Sequence, residues 1–363
     1  MNPETLLKAF KEKINKTYKG EVLKLGSDVA KTNLATKRFS SGIFSCDMAL
    51  GGGWPFGKIV IDAGDESTGK TLKAIKACVS IQEYDHMTRQ HKDYIKEGRP
   101  FRPGRALYID AEGSWDEDWA TRLGFDHDHH MIAQCEFAEQ AIDIANGAIR
   151  ENLFDIIVID SIAALIPMKE LEDSMEDWQM GLAARLVNKA MRKWVGSLNK
   201  LKQTTNNGGP CIYCLNQFRI DINAPSFIDP RVLPGGKAQR FACSILGYTK
   251  GPKVEDGDSK ETEWVTLGGV WKKNKTYLPK LNYEFKMRLK DSADGRTGDV
   301  ENINKLVEEG LSRKLIKKVG AKVVFGKVEV SNERAFKERL RVSPVLQKQL
   351  WRSIVKQACG VLI

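Results

Sequence analysis

The chain has 363 residues, of which 42% are hydrophobic and 29% charged, and its formal net charge is +10. This length allows one large core with one or two small additional units, and the basic balance permits a polyanionic partner without identifying one. No apolar run approaches the roughly twenty residues of a membrane helix, and the N-terminus lacks an apolar signal core, so we expect a cytoplasmic protein that neither spans a membrane nor is exported.

The first predicted element is a helix over residues 2–18, with Asn2 as its cap and Pro3 in its first turn. Its apolar residues recur at helical spacing and form one stripe on an otherwise charged helix, namely Leu6, Leu7, Phe10 and Ile14. Such a stripe needs a cover, which can be the chain's own core or a neighbouring copy. We assign residues 1–36 to an N-terminal segment with a role in oligomerisation.

Short apolar strands separated by longer helical stretches begin near Phe39. They are residues 58–63, 106–110, 154–160 and 211–215. Near-continuous apolar strands are typical of a parallel sheet covered on both faces, so we predict an α/β core over residues 37–290. Further strand patterns in FACSILG, EWVTLGGVW and LNYEFKMRL extend it into a mixed sheet with an antiparallel far edge. A long, polar and basic stretch over residues 83–105 looks like an insertion, to which the pattern assigns no role.

The seven cysteines show no spacing that suggests a disulfide framework, which favours a reducing compartment. The closest pair, Cys211 and Cys214, lies in a predicted strand, where a three-residue spacing points the two side chains to opposite faces. We therefore predict that this pair packs in the core and binds no metal.

A boundary is predicted at residues 289–299 (LKDSADGRTGD), where Gly, Asp and Ser concentrate. Beyond it we assign residues 291–363 to a small α+β domain with a helix over residues 300–320, a hairpin around Gly326 and two more helices. Residues 331–363 carry seven Lys or Arg against two Glu, a composition that suits the capture of duplex DNA.

A glycine-rich loop follows the first predicted strand of the core. Residues 64–71 read GDESTGKT and satisfy the phosphate-loop pattern, with a strand before them and a helical pattern after them. The glycines let backbone N–H groups surround a phosphate chain, Lys70 reaches the terminal phosphates, and Thr71 offers a hydroxyl to Mg²⁺. The predicted nucleoside triphosphate site consists of Gly64, Asp65, Glu66, Ser67, Thr68, Gly69, Lys70, Thr71 and Leu72.

Two acidic residues follow other predicted strands of the same sheet. Asp160 ends the run FDIIVID, where a carboxylate can hold Mg²⁺ through water beside Thr71, although an aspartate at a strand end alone is more often a loop cap. Glu112 follows the strand 106–110 and is a candidate to orient the water for hydrolysis. From spacing alone, a solvated loop carboxylate is an equal alternative for Glu112.

The chain closely resembles bacterial RecA recombinases in many segments that keep their order from about residue 2 to residue 355. These segments are ALGGGWPFGKIV, GDESTGKT, YIDAEGSWDEDWATRLG, IIVIDSIAALIPMKELE, MGLAARLVNKAMRK, LNQFRI, PGGKAQRF and KKNK. The resemblance implies a RecA-like phosphate-loop ATPase core with a mixed, mainly parallel sheet, an N-terminal helix and a small C-terminal domain. It also implies ATP and Mg²⁺ as cofactors.

The resemblance assigns roles around the ATP site. Glu112 becomes the residue that activates the attacking water, and Gln217 becomes the sensor that passes the state of the γ-phosphate to the following loop. Asp116 and Trp119 fall where the family holds adenine. Lys273 and Lys275 match lysines that a neighbouring protomer inserts into the ATP site, for which a solvated edge strand is the alternative.

Two loops that follow core strands are the candidate DNA-binding segments. The first covers about residues 172–181 and leads into a basic helix, whose alternative reading is a solvated face. The second covers about residues 218–238 and is long for a loop in a compact core, which is typical of functional or disordered segments. The resemblance adds DNA-contacting residues from both segments: Met180, Arg185, Asn188, Arg192, Arg219, Ile222, Gly235 and Gly236.

The second loop departs from the family pattern, because Asp221 stands where a basic residue is usual and the loop is one residue longer. The alignment around Phe227 is therefore ambiguous. Phe241 matches a residue that docks on the adjacent subunit, with a buried core strand as its alternative.

The resemblance implies ATP-dependent homologous recombination by a helical filament on single-stranded DNA, which pairs with and exchanges strands with duplex DNA. Two rival functions remain at this stage. One is a hexameric DNA helicase built on a related ATPase core, and the other is a nucleotide-gated regulator that forms filaments without strand exchange.

Overall fold

The computed structural model describes residues 2–19, 22–24, 36–172, 181–205, 208–220, 231–236, 238–254, 263–361 and 363. They fall into two compact units, Met1–Thr36 and Lys37–Ile363. The first unit contains helix α1 (Pro3–Thr17), and its cap is confirmed, since the Asn2 side chain accepts from the Glu4 backbone N–H. The stripe residues Leu6, Leu7 and Phe10 are each more than half exposed.

The second unit alternates strands and helices before it ends in a helical region. The described helices of this unit are α2 (Phe44–Leu50), α3 (Lys70–Ile81), α4 (Glu117–Arg122), α5 (Ala138–Glu151), α6 (Met168–Glu172), α7 (Leu182–Thr204), α8 (Ala238–Ala242), α9 (Ile303–Ser312), α10 (Glu333–Val342) and α11 (Pro344–Cys359). None of the helices in the described ranges combines the length and hydropathy that a membrane crossing requires.

The strands form one large sheet and three small ones. They are β1 (Arg38–Phe39), β2 (Trp54–Pro55), β3 (Ile59–Ala63), β4 (Ala106–Asp110), β5 (Met131–Gln134), β6 (Ile156–Asp160), β7 (Cys211–Asn216), β8 (Arg219–Ile220), β9 (Arg231–Val232), β10 (Ile245–Val254), β11 (Trp264–Asn274), β12 (Leu281–Arg288), β13 (Val300–Glu301), β14 (Lys317–Val319), β15 (Lys322–Phe325) and β16 (Val328–Val330).

The large sheet has the order β13-β12-β11-β10-β3-β7-β6-β4-β5. The strands from β10 to β5 pair in parallel, and those from β10 to β13 pair antiparallel. This confirms a mixed, mainly parallel sheet whose far edge is antiparallel.

Helices cover both faces of this sheet. Helix α3 packs on one face together with aromatic residues, and α5 and α7 pack on the other. Cys211 belongs to the first cluster and Cys214 to the second, so the predicted opposite orientations are confirmed. Because successive strand residues alternate between two buried faces, the strands can be apolar throughout.

The C-terminal region surrounds its own apolar cluster, which helices α9 to α11 share with Phe44 of α2. The predicted helix over residues 300–320 is too long, because α9 ends at Ser312 and Lys317–Val319 is a strand. The backbone N–H groups of Leu315 and Ile316 turn back to the carbonyl of Gly310, with Lys314 at a φ of +60°. This tight reversal buries Ile316 against the helix, which a continued helix could not do. The hairpin around Gly326 is confirmed by the pairing of β15 with β16.

The inserted stretch 83–105 folds onto the core through Asp155, the residue before β6. Arg89 and Asp155 form an ion pair in which both side chains are buried. His86 Nδ1 lies 3.0 Å from Asp155 Oδ2, and the Arg105 backbone N–H donates to the same oxygen at 2.7 Å. One carboxylate therefore fixes both ends of the segment.

The same stretch also contacts the C-terminal helix α11. Lys348 of α11 lies 2.7 Å from a Glu83 carboxylate oxygen, and Arg352 pairs with Asp93. His91 Nε2 donates to the same Glu83 carboxylate at 3.1 Å. Residues 83–105 thus form a brace between the sheet and α11.

Candidate nucleotide site and DNA interface

Four strands that are neighbours in the sheet end at the predicted site residues. The phosphate loop, residues 64–71, follows β3, and Gln217 follows β7. Asp160 is the last residue of β6, and Glu112 lies just beyond β4. Because parallel strands place their carboxyl ends at one edge of the sheet, the four groups meet in one crevice.

The phosphate loop is held by contacts of its own backbone. Lys70 Nζ donates to the carbonyl oxygens of Gly64, at 3.0 Å, and Asp65. Burial lowers the pKa of Lys70. Gly64 has no room for a side chain, since a Cβ there would lie 1.6 Å from Thr249 Oγ1. Ser67 has a φ of +55°, a left-handed conformation that non-glycine residues adopt mainly at constrained sites.

Asp160 and Thr71 lie side by side, as the magnesium prediction requires. Thr71 Oγ1 donates to Asp160 Oδ2 at 3.1 Å, and the Tyr108 hydroxyl donates to the same oxygen at 2.5 Å. Burial raises the pKa of Asp160 to about 6, against the opposing effect of the Tyr108 hydrogen bond. The peptide bond between Asp160 and Ser161 is cis.

These oxygens fit Mg²⁺ better than a softer metal. A hydroxyl and one carboxylate are the kind of sparse oxygen set that Mg²⁺ uses together with substrate phosphates. Within the described ranges there is no group of three or more His, Cys, Asp or Glu that could hold a metal by itself. The phosphates would therefore have to complete the coordination.

Glu112 and Gln217 are in direct contact. Gln217 Nε2 donates to Glu112 Oε1 at 3.0 Å, and Ser161 Oγ donates to the same oxygen at 2.5 Å. The carboxylate predicted to activate water and the amide predicted to sense phosphate thus share one hydrogen bond. Both side chains extend from the carboxyl ends of strands, where a substrate phosphate would approach.

A buried amide network continues from Gln217 to the end of the second loop. Asn216 and Gln239 are both fully buried. Asn216 Nδ2 donates to Gln239 Oε1 at 2.9 Å and to the Pro234 carbonyl at 3.2 Å. Gln239 Nε2 donates in turn to the carbonyls of Pro234 and Gly236. The end of β7 and the returning limb of the loop are therefore held together.

The two predicted DNA segments also meet each other. Gly236 packs on α7, where a Cβ would lie 3.4 Å from Ala184 and 3.6 Å from the Asn188 amide. Gly235 packs against Val187 in the same way. Arg219 starts β8, which pairs with β9 at the base of the second loop.

Helix α7 presents basic side chains on its exposed surface. Arg185 and Arg192 are exposed, and Asn188 is half-buried between them. Asn188 Oδ1 has no hydrogen-bond partner among the described residues. Met180 and Ile222 lie outside the described residues, as do Asp221 and Phe227.

A cavity of about 410 Å³ lies between the phosphate loop and Trp119, the residue predicted to hold adenine. Trp119 and Leu267 contribute apolar walls, and Ser67 to Leu72 form its floor. Asp116 is exposed and caps α4, because its Oδ1 accepts from the Trp119 backbone N–H at 2.8 Å. Asp116 thereby orients the helix that carries Trp119.

Lys273 and Lys275 lie at the opposite end of the sheet from the phosphate loop. In the strand register, Asn274 pairs with Ile245, which in turn pairs with Val60. Val60 stands three residues, or about 10 Å, before the carboxyl end of β3. The alternative of an edge strand for these lysines is wrong, because β11 is an interior strand. Lys273 itself pairs with Leu246, which lies level with Ile61 of β3.

Phe241 shares that end of the molecule with the lysines. It lies on helix α8 and is 79% exposed, so the alternative of a buried core strand is wrong. Lys273 Nζ donates to the carbonyls of Arg240 and Cys243, the second at 2.7 Å. Lys275 is exposed.

Sequence reasoning missed the residues that hold the predicted site residues in place. Tyr108 and Ser161 fix the two carboxylates, and Asn216 and Gln239 fix the second loop. The sequence did hold a weak indication of these four residues. Each is a polar residue in or next to an apolar strand, or lies in a segment that resembles the family. Nothing in the sequence indicated which partner each would meet.

Comparison with known proteins gives the family. The family model described as the RecA N-terminal domain matches residues 5–287. The Protein RecA of Oleidesulfovibrio alaskensis is 34% identical over 350 residues, covering 96% of this chain and 88% of that relative. Those of Petrotoga mobilis and Porphyromonas gingivalis are also 34% identical, covering 85% and 96% of this chain and 76% and 92% of the relatives. The chain therefore belongs to the RecA family of DNA-dependent ATPases, which carry out homologous recombination and strand exchange.

Proposed function

We propose that ATP is bound between the phosphate loop of one protomer and Lys273 and Lys275 of the next, in a head-to-tail filament on single-stranded DNA. The observation that carries this proposal is the position of the two lysines at the end of the sheet opposite the phosphate loop. A contact that joins opposite ends of identical chains is heterologous, and it generates an open helical filament when the rotation between neighbours does not close a ring. Exposed Phe241 beside the lysines supports the same interface.

The residues at the strand ends divide the work of hydrolysis. Thr71 and Asp160 would hold Mg²⁺, which when bound compensates the charge of the phosphate oxygens. Glu112 accepts a proton from the attacking water, and Lys70 and the neighbour's lysines stabilise charge on the transferring phosphoryl group. Trp119 stacks on the adenine, and Asp116 orients it through the cap of α4.

Gln217 couples the nucleotide to DNA. Its amide can donate to Glu112 or to a γ-phosphate, so phosphate binding competes with a hydrogen bond that already exists. Movement of Gln217 reaches the second loop through its neighbour Asn216, which is bonded to Pro234. Hydrolysis then resets the loop, and the filament returns to its weak DNA-binding state.

DNA is contacted mainly through its backbone. Exposed Arg185 and Arg192 on α7 and Arg219 at the base of the second loop supply cations for phosphates, while Asn188 supplies an amide. Gly235 and Gly236 bring backbone N–H groups close to the strand. Insertion of Met180 and Ile222 between bases stays a prediction. Base pairing with the incoming duplex then carries the sequence specificity.

The chain divides into three functional parts in this proposal. Residues 1–36 serve oligomerisation, residues 37–290 serve ATP-driven DNA binding, and residues 291–363 capture duplex DNA. A cytoplasmic location fits the seven unpaired cysteines, five of which are buried. In this location their thiols would remain reduced.

Mixing two inactive variants tests the shared ATP site. Lys70→Ala damages the phosphate loop, whereas Lys273→Ala damages the lysine contribution, and each alone should lose most DNA-dependent ATP hydrolysis. In an equimolar mixed filament, about one quarter of the interfaces pair an intact loop with intact lysines, because assembly is random and heterologous. We expect hydrolysis to recover to that extent, and no recovery would contradict a site shared between chains.

Electron microscopy with ATP and single-stranded DNA tests the assembly itself. We expect helical filaments, and closed rings without filaments would instead favour the helicase alternative. Strand exchange with the Lys70→Ala variant separates the remaining rival. Undiminished exchange by this variant would contradict gating by ATP.

A further inference from the structure

A buried ion pair lies directly beneath the phosphate loop. Lys73 Nζ is 2.5 Å from Asp62 Oδ2, and the two side chains are 1% and 0% exposed. Asp62 is the residue before the last of β3, and Lys73 is in the first turn of α3. The pair therefore joins the two ends of the segment 63–72, which contains the whole phosphate loop.

Each partner is held by a hydroxyl from a different strand. The Tyr213 hydroxyl of β7 donates to Asp62 Oδ2 at 2.8 Å, and Lys73 Nζ donates to the Tyr283 hydroxyl of β12 at 2.6 Å. The Lys73 ammonium also lies 5.0 Å from the Tyr283 ring centroid and 5.7 Å from that of Trp271. The base of the loop is thus tied to three strands of the sheet and to α3.

Burial of this ion pair in the core carries a large desolvation cost. The surrounding face is aromatic, with Trp54, Tyr213 and Trp271 packed ring to ring. Removing two charges from water costs several kcal/mol per ion, and apolar residues of similar volume commonly replace a buried pair without loss of stability. Asp62 Oδ1 even lacks a hydrogen-bond partner among the described residues. Stability alone therefore does not explain the pair.

An ion pair does supply what an apolar contact lacks, namely a fixed direction and distance between two backbone elements. Here those elements are the strand that enters the phosphate loop and the helix that leaves it. A loop whose two ends are fixed loses less conformational freedom when it closes around phosphates, so less of the binding free energy is spent on ordering it. Lys70 lies one turn from Lys73 on the same helix, so its ammonium depends on the same anchor.

We propose that the Asp62–Lys73 pair is a positioning device that closes the base of the phosphate loop and keeps it in its nucleotide-binding form. The inference rests on the proposed ATP site and adds two residues that do not touch the nucleotide. They act on the affinity for ATP through the loop. They take no part in the chemistry of hydrolysis.

The test replaces the pair by apolar residues in the full chain. Asp62→Val combined with Lys73→Met removes both charges and leaves no unpaired ion, although the Tyr213 and Tyr283 hydroxyls each lose a partner, so we expect a melting temperature close to that of the original protein. The dissociation constant of a fluorescent ATP analogue should rise about tenfold, which corresponds to about 1.4 kcal/mol. The KM for ATP in the DNA-dependent reaction should rise by a similar factor while kcat stays within about twofold, because uniform binding is lost.

Arg89→Met is the matched control. It breaks another buried ion pair, with Asp155, which lies at the amino end of β6 and far from the phosphate loop. We expect it to lower the melting temperature and to leave the affinity for the ATP analogue unchanged. The double variant should therefore change nucleotide affinity more than stability, and Arg89→Met should change stability but not nucleotide affinity.

Equal affinities of the double variant and the original protein, with a retained melting temperature, would overturn the proposal and leave the pair a packing feature. If the double variant does not fold, Tyr283→Phe removes one anchor of Lys73 and is expected to lower the melting temperature modestly and to weaken ATP binding about threefold. Unchanged affinity in that variant would also overturn it. Failure of the original protein to bind the analogue would instead contradict the proposed ATP site.

Discussion

At the scale of single residues, buried carboxylates link the parts of this molecule. Asp160 joins the phosphate loop to β4, Asp155 holds the inserted brace, and Asp62 anchors α3. Asp47 joins α2 to the C-terminal region, because its carboxylate accepts hydrogen bonds from the Ser41 backbone N–H and from Trp351 Nε1 of α11. Each of these residues stands where an apolar side chain would preserve packing but lose a directional contact.

Asp47 predicts a pH dependence of stability. Burial raises its pKa to about 6, although hydrogen bonds from Ser40, Ser41 and Trp351 oppose the shift. A carboxyl whose pKa is higher in the folded state stabilises the fold fully below its unfolded pKa of about 4, and this stabilisation is lost as the pH rises through about 6. Relative to Asp47→Asn, the free energy of unfolding should fall by up to about 3 kcal/mol between about pH 4 and pH 7.

Denaturant titrations of both proteins at several pH values measure this difference. The Asn variant supplies the baseline, since its other titratable groups are the same. A difference that stays constant over the range would contradict the assigned role of Asp47.

At the scale of elements, the second loop is connected to the ATP site by side-chain amides. Asn216 ends β7, and Gln239 lies in α8, so the loop between them begins and ends on one hydrogen bond. Gln217 extends this connection to Glu112. The loop is in this way coupled to the nucleotide site at its base.

Gln239→Leu should uncouple DNA binding from ATP hydrolysis. The substitution keeps the volume but leaves the buried Asn216 amide with one partner fewer, at a cost of about 1–3 kcal/mol. We expect ATP binding and DNA-independent hydrolysis to be retained, and the stimulation by single-stranded DNA to fall about tenfold. Gln349→Leu, at an exposed position on α11, is the control. DNA stimulation equal to that of the control would refute the amide connection.

The brace formed by residues 83–105 makes a separate prediction. Arg352 of α11 is largely buried against Asp93 and the ring of Tyr94, whereas Lys356 on the same helix is exposed. Arg352→Ala should lower the free energy of unfolding by about 1–3 kcal/mol, and Lys356→Ala should leave it almost unchanged.

Hydrogen exchange of the backbone locates the effect of Arg352. Faster exchange is expected in residues 83–105 and in α11 for the Arg352 variant only. Identical exchange in the two variants would show that the brace does not depend on this contact.

At the scale of the whole molecule, the arrangement has two functional ends. The carboxyl ends of the parallel strands carry the phosphate loop and lead toward the predicted DNA segments, and Lys273, Lys275 and Phe241 lie toward the amino ends. In the proposed filament, each protomer offers one half of an ATP site at each end.

Phe241→Ala should weaken assembly without weakening the protomer. Because this side chain is 79% exposed, its truncation leaves the melting temperature almost unchanged. Burial of a phenylalanine in a subunit contact contributes about 1.5–3 kcal/mol, so filament formation should require at least about tenfold more protein. Light scattering and electron microscopy with ATP and single-stranded DNA measure this.

Val345→Ala provides the control, since Val345 is 68% exposed but lies at the start of α11. Normal assembly is expected for this variant. Assembly of the Phe241 variant at the same concentration as the control would contradict the proposed docking contact.

Local patterns in the sequence determined the features that depend on neighbouring residues only. The phosphate loop was predictable because its glycines and its flanking strand and helix lie within about twenty residues. The core strands were predictable because a strand buried on both faces is apolar throughout. The prediction made α9 too long because it also relied on a local pattern. The helical periodicity continues past Ser312, whereas the packing of Ile316 on Gly310 ends the helix there.

The tertiary structure alone decided which distant groups meet. The Asp62–Lys73 pair, the Glu112–Gln217 contact and the brace to α11 each join residues whose separation in sequence carries no signal. The opposite location of Lys273 and the phosphate loop follows from strand order and register, which depend on the burial of whole faces. The sequence by itself therefore determined an ATPase core of the RecA family, and the packing of the sheet decided which of its distant groups meet.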